Sequence, residues 1–370
     1  MRALCLTFIM LATILSLPAC HKKDAMQPHL VFQSSGIYIL CQGPLNTPGA
    51  NGSLSFYNTA TKTLTFDMYS EANGKKIGEL PTDLKIYGSK MYIAVTNSSV
   101  MEVVDAKSSQ LIKRVDMPNR YPGHVSFYQG KALISCLDGS VAVMDTTTLG
   151  ISKNIKLQIS AQTAGLVVVK DKAYVTQPGI EGTSNIVSVI NLTTMTEIKQ
   201  IYVIPQPINA ASDADGNVFI LSQGFPEFSN CSPSLPPNSP ACSILGGITV
   251  IDSQKDIVKS FQLPNGNLFG AMAVNEHSLY FNTTKVDSNR LVVQDTRTQT
   301  VIGPSFLADY PSLGIKDMII NPESGELFIL GYNSFNFEPN QSQLSVFSKL
   351  GKLEYTVPLE GNPIKIALLK

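Results

Sequence analysis

Short apolar runs and polar corners alternate along almost the whole chain. A strand-like segment recurs as Ile37-Tyr-Ile-Leu, Met91-Tyr-Ile-Ala-Val, Ala132-Leu-Ile-Ser, Ala173-Tyr-Val-Thr, Val218-Phe-Ile-Leu, Leu279-Tyr-Phe-Asn and Leu327-Phe-Ile-Leu, at intervals of 41 to 61 residues. After each comes a variable loop, then a second strand pattern ending on Asn58, Asp105, Asp145, Asn191, Asp252, Asp295 or Ser348. A short carboxylate or amide at such a corner accepts backbone N–H bonds two residues on, so these side chains read as turn-formers rather than catalysts. A third strand follows, as in Leu111-Ile-Lys-Arg-Val and Glu197-Ile-Lys-Gln-Ile. No window of 12 residues carries the 3.6-residue apolar period of a helix.

A further strand precedes the repeating segment in six units: Asp83-Leu-Lys-Ile-Tyr, His124-Val-Ser-Phe-Tyr, Gly165-Leu-Val-Val-Val, Ile208-Asn-Ala-Ala, Gly270-Ala-Met-Ala-Val and Lys316-Asp-Met-Ile-Ile. None precedes Ile37, while an extra one, Ile364-Lys-Ile-Ala-Leu-Leu, ends the chain. A linear array would leave that last strand without a partner and the first with an open edge. A ring removes both problems by pairing residues 364–369 beside residues 36–41. The expected fold is therefore all-β: a seven-bladed β-propeller of four-stranded blades, closed by the C-terminal strand on the N-terminal blade. Residues 36–370 form this one domain.

The N-terminus adds an address. An Arg, an apolar run from Ala3 to Leu17 and the sequence Leu17-Pro-Ala-Cys20 make a secretory signal over residues 1–20. Its end resembles a bacterial lipobox, in which Cys20 becomes the lipidated N-terminus; residues 21–35 then read as a flexible tether. The expected location is the cell envelope, at the outer-membrane surface, with the lipid as the only membrane contact. Cys231 and Cys242 flank a Pro/Ser-rich insert and read as a disulfide, whereas Cys41 and Cys136 fall in apolar strands as small buried hydrophobes.

Composition narrows the function. Of 370 residues, 15% are charged, with 28 Lys and Arg against 28 Asp and Glu and no basic block, which excludes a nucleic-acid partner. No zincin, nucleophile-elbow, phosphate-loop or dinucleotide motif occurs. His21 and His29 lie in the tether; His124 opens an inner strand and reads as a structural group. Asp83 and Asp317 start inner strands, but Gly165, Ile208, Gly270 and Ile364 hold related places, so neither a metal nor another cofactor is expected.

The longest, most individual segments fall on one face of the expected ring, at residues 42–53, 177–185, 223–247, 283–290 and 332–343 within blades. Residues 69–82, 118–123, 264–269 and 305–315 join blades on the same face. They carry Tyr69, Arg120, Tyr121, Phe225, Phe228, Phe269, Tyr310, Tyr332, Phe335 and Phe337, the candidate ligand-binding set. Aromatic faces among amides, with few charges, suit a large, near-neutral, amphipathic small molecule or glycan.

Lys90-Met-Tyr-Ile-Ala-Val-Thr-Asn with Met101-Glu-Val-Val-Asp-Ala-Lys resembles the YVTN-type (YncE-like) propeller repeat. Asn51-Gly-Ser-Leu-Ser-Phe-Tyr, Asp83-Leu-Lys-Ile-Tyr-Gly, Val95-Thr-Asn-Ser-Ser-Val and Asn119-Arg-Tyr-Pro are similar to segments of Bacteroidetes surface-lipoprotein propellers. The resemblance implies a surface lipoprotein of a group that includes proteins capturing cobalamin for a TonB-dependent outer-membrane transporter, so a cobalamin-like nutrient is the expected ligand. It transfers no individual contact residue. The absence of catalytic motifs points to a non-enzymatic protein, and a monomer is expected. Two other readings stay open: a protein-interaction platform at the envelope, and a metal-dependent lactonase or lyase.

Overall fold

The computed structural model describes residues 35–370 except 44–46, 48, 160, 180–183, 225–245, 263–266, 286–287, 303–313 and 333–341. Seven antiparallel sheets account for its strands. The first blade combines both ends of the chain: Asn362–Leu369 is innermost, followed outward by Gly36–Gln42, Ser53–Asn58 and Thr63–Thr65. Its closing register runs from Gly36 opposite Leu369 to Leu40 opposite Lys365. The expected ring closure is thus present. The other inner strands are Pro81–Tyr87, Pro122–Tyr128, Leu166–Val169, Pro207–Ser212, Asn267–Asn275 and Gly314–Ile320. Each inner strand contacts that of the next blade all the way round. Blades two to five and seven also have four strands. The sixth has three among the described residues, plus a single bridge from Gln294 to Val301 where a fourth would start.

The repeating apolar runs become the second strand of each blade. Both faces of that strand meet a neighbouring blade, so the polar half of the usual alternation is lost. Ile37–Leu40 and Met91–Val95, for example, are all fully buried. The core is accordingly divided into wedges. Seven hydrophobic clusters each draw on two adjacent blades, and the one between the seventh and first blades joins Ile37, Ile39 and Tyr57 to Phe328, Leu330 and Val346.

The polar corners fold as their chemistry dictates. Asn58, Asp105, Asp145, Asn191, Asp252 and Asp295 each accept two backbone N–H bonds of 2.7 to 3.0 Å from the second and third residues beyond. Those backbone bonds hold the Asp145, Asp252 and Asp295 carboxyls below the usual carboxylate range. At the seventh corner the Ser348 hydroxyl accepts from the Lys352 N–H instead.

One element departs from the strand-only expectation. The outer strand of the first blade stops at Thr65, and a short helix, Met68–Asn73, takes over its packing. Met68, Tyr69 and Ala72 face the core, and Gly74, at φ 64°, ends the helix in a left-handed conformation. Asn73 donates to the carbonyls of Tyr69 and Ser109 and accepts from the Leu111 N–H, tying the helix to a corner of the second blade.

Ile366 sits on the closing strand, 4% exposed, in the wedge between the seventh and first blades. Ile366→Ala is expected to cost about 2–5 kcal/mol, read as a lower urea midpoint. Leu350→Ala, at a position 84% exposed, should stay within about 0.5 kcal/mol of the parent.

Candidate functional site

The seven inner strands enclose a channel of about 380 Å³. Ile86, Phe127, Leu166, Met272 and Met318 give it apolar walls, while Lys85, Ser126, Asn209, Asp317 and Lys365 add polar groups. Four of the charged or amide residues around it share one level. Asp83, Asn209, Asp317 and Lys365 are each the first regular pair beyond a β-bulge, opposite Ala94, Leu221, Leu330 and Leu40. His124 lies inside the corresponding bulge of the third blade. Gly165 falls at this collar because a Cβ there would meet the backbone of Asn209 and Ala210 within 2.7–2.8 Å.

Most collar groups are spent on joining blades. Asp83 accepts the Val125 N–H (2.9 Å) from the next inner strand, and Asp317 accepts the Ile366 N–H (3.0 Å) in the same way. Asn209 donates to the Gly270 carbonyl, Ser135 to that of Ala164 and Thr82 to that of Gly123. Along the ring Asp317, Lys365, Asp83 and His124 follow one another. Lys365 Nζ is 3.1 Å from Asp317, and His124 Nδ1 is 3.7 Å from Asp83. Burial pushes the Asp83 carboxyl up, but Lys85, His124 and Lys365 outweigh it and hold the group well below the usual range. Burial pushes the Lys365 ammonium down, yet Asp317 and Asp83 raise it above the ordinary lysine value. One Asp83 oxygen, Oδ1, is buried without a hydrogen-bond partner. The expected inner-strand carboxylates therefore act first as ties between blades.

The predicted ligand residues separate into three groups. Tyr69 is fully buried on the short helix, in the wedge between the first two blades and away from the loop-rich face. Tyr332 is 3% exposed, donates its hydroxyl to Asn362 at the start of the closing strand, and has the Lys316 ammonium 5.3 Å from its ring centroid. It is thus part of the ring closure. Arg120 and Tyr121 do lie on the loop-rich face, in the connection between the second and third blades. Arg120 donates to Asn154 on the outer strand of the third blade (2.8 Å), while Tyr121 remains 42% exposed. Phe225, Phe228, Tyr310, Phe335 and Phe337 lie outside the described residues, as do Cys20, Cys231 and Cys242; so does the side chain of Phe269. Cys41 and Cys136 are buried free thiols, each pushed up to about 12 by burial.

Tyr121 has a left-handed backbone, φ 54°, as do Leu80 (52°) and Gln206 (56°). Each precedes a proline that opens an inner strand, and each carbonyl accepts from the end of the adjoining strand: Thr96 to Leu80, Leu137 to Tyr121 and Gln223 to Gln206. The conformation belongs to the propeller's architecture. Its effect is to place these three residues immediately before the inner strands, on the loop-rich side of the ring. Lys85, Asn209 and Lys365 escaped the sequence reading. The signal that finds them is their shared place among the inner strands, blurred in sequence because the bulges shift the frame by one residue.

The chain belongs to the family described as a domain of unknown function (DUF5074), whose model matches residues 35–224. No curated protein matches the sequence. Among solved structures, a quinonprotein alcohol dehydrogenase-like protein from Bacteroides thetaiotaomicron is 16% identical, with a TM-score of 0.64 over 90% of this chain and 77% of its own. Hydrazine synthase from Kuenenia stuttgartiensis is 13% identical, with a TM-score of 0.59 over 79% of this chain and 95% of its own. At such identities the likeness is one of fold alone.

The depressed Asp83 carboxyl fixes the sign of a pH effect. Its ionised form stabilises the fold above about pH 4, the unfolded value, and that contribution fades as the pH falls below it. Asp83→Asn should lower the urea midpoint at pH 7, with a smaller difference from the parent at pH 3. An equal difference at both pH values would contradict this electrostatic account.

Proposed function

We propose that this protein is a lipid-anchored propeller of the bacterial cell surface that captures a ligand over the mouth of its channel without transforming it. The observation that carries this reading is the inequality of the two ring faces. One face has tight turns such as Gly88-Ser89, Gln129-Gly130 and Lys170-Asp171 between consecutive strands. The other has the longer connections within and between blades, and in one of them Tyr121 stands exposed. Long connections on a rigid frame are where recognition usually resides. The collar supports binding over catalysis: Asp83 and Asp317 are engaged with backbone N–H groups and with His124 or Lys365.

The ligand class follows from the walls and from the resemblance to cobalamin-capturing surface lipoproteins. A corrinoid is broader than a channel of about 380 Å³, so its ring would rest on the loop-rich face with only a substituent entering the mouth. Delivery to a TonB-dependent transporter completes the proposal, and a glycan of similar breadth is the second ligand class. Isothermal calorimetry with cobalamin and a glycan panel tests the reading. It is expected to find one ligand bound more tightly than about 1 mM, equivalent to roughly −4 kcal/mol. Tyr121→Ala should weaken that binding about tenfold, as expected for loss of an aromatic anchor. Leu350→Ala, on the opposite face, should leave it unchanged. Absence of any ligand in that range would remove the capture function.

A further inference from the structure

On the tight-turn face, two neighbouring turns bring together Asp213, Asp215 and His277. Each offers one ligand atom, and the three atoms lie within 4.8 Å of one another. The turn between Ser212 and Asn217 is four residues long, whereas Glu276-His277 in the next blade is a two-residue turn. The extra length carries Asp215 toward His277, and the turns are joined by the Ala214 N–H donating to the Glu276 carbonyl.

Two observations point to a cation site. First, the Asp213 side chain is buried, and its oxygens accept only from the backbone N–H and side-chain amide of Asn217, at 2.8 and 2.9 Å. It has no ion pair among the described residues. Neither of these donors carries a positive charge. Second, His277 Nδ1 is a buried atom with no hydrogen-bond partner, 3.4 Å from Asp215 Oδ2. That gap exceeds the N–H···O range of about 2.7–3.2 Å. It matches the separation of about 3.3–3.4 Å between two ligands held at about 2.0–2.1 Å on a tetrahedral ion.

The propeller does not itself require these side chains. Ser89, Gly130 and Asp171 hold the place of His277 in other blades, and all four carbonyls accept the same bond from the residue after a polar corner. We infer that Asp213, Asp215 and His277 form a site for a borderline divalent transition ion of the Zn²⁺ type, clamping the fifth blade to the sixth, with water as the remaining ligand. One imidazole among two carboxylates favours such an ion over Mg²⁺ or Ca²⁺, which prefer all-oxygen shells. The site lies on the face opposite the capture surface, so it stands or falls separately from that function.

The test is Zn²⁺ titration of the chelator-treated full chain by calorimetry and thermal denaturation, with Mg²⁺ and Ca²⁺ as comparisons. The expected result is one Zn²⁺ per chain and a higher melting temperature. Asp215→Asn and His277→Ala, both at partly exposed positions, should keep the metal-free melting temperature and weaken Zn²⁺ binding by at least about tenfold. No binding by 1 mM Zn²⁺, or binding retained in either variant, as from His21 and His29 in the N-terminal segment, would overturn the site.

Discussion

Pairing of the last strand with the first is the constraint on which the rest of the molecule depends. Ile37 to Leu40 lie beside Lys365 to Leu368, so the ladder joins residues more than 320 positions apart. Closing so long a loop costs chain entropy before any contact forms, although that cost grows only slowly with length. The return is large and local. Pairing buries the wedge of Ile37, Ile39, Phe328 and Leu330, and it leaves no inner strand without a neighbour on each side. Without it, the first and seventh blades would each expose a fully apolar face.

The charges at the collar reinforce this closure. Lys365 arrives on the last strand paired with Asp317 of the seventh blade, and it adds to Lys85 and His124 in drawing the Asp83 carboxyl of the second blade down. The same carboxylates accept backbone N–H groups from Ile366 and Val125. Tyr332 adds a further tie, through Asn362, at the opening of that strand. The collar of the channel is thus tied across the seam of the ring by backbone and side-chain bonds together.

Much of the fold was legible in the sequence because its determinants are local and repeated. The corner residues Asn58, Asp105, Asp145, Asn191, Asp252 and Asp295 bond as their chemistry requires wherever they occur. The surplus C-terminal strand implied closure on topological grounds alone. The candidate site was less legible, since an aromatic in a loop looks the same whether it faces solvent or core. Tyr69 was hidden by a six-residue helix too short to show a period, and Tyr332 by its bond to Asn362, thirty residues later. Arg120 and Tyr121 were placed correctly on the face because their connection is short and sits between two strong repeats. The pairing of Asp215 with His277 was beyond reach for a different reason: His277 comes from the next blade, across an insert of unpredictable length.

Two faces with different demands emerge from one repeated unit. Tight turns build one face from corner chemistry, and the longer connections leave from the other. Both assignments rest on closure, which hydrogen exchange at the C-terminus measures most directly. The Ile366 backbone amide, held by Asp317 at 3.0 Å, should exchange as slowly as those of the buried strand Lys131–Cys136, opening only with global unfolding. Exchange at the rate of a frayed chain end would contradict the closed ring.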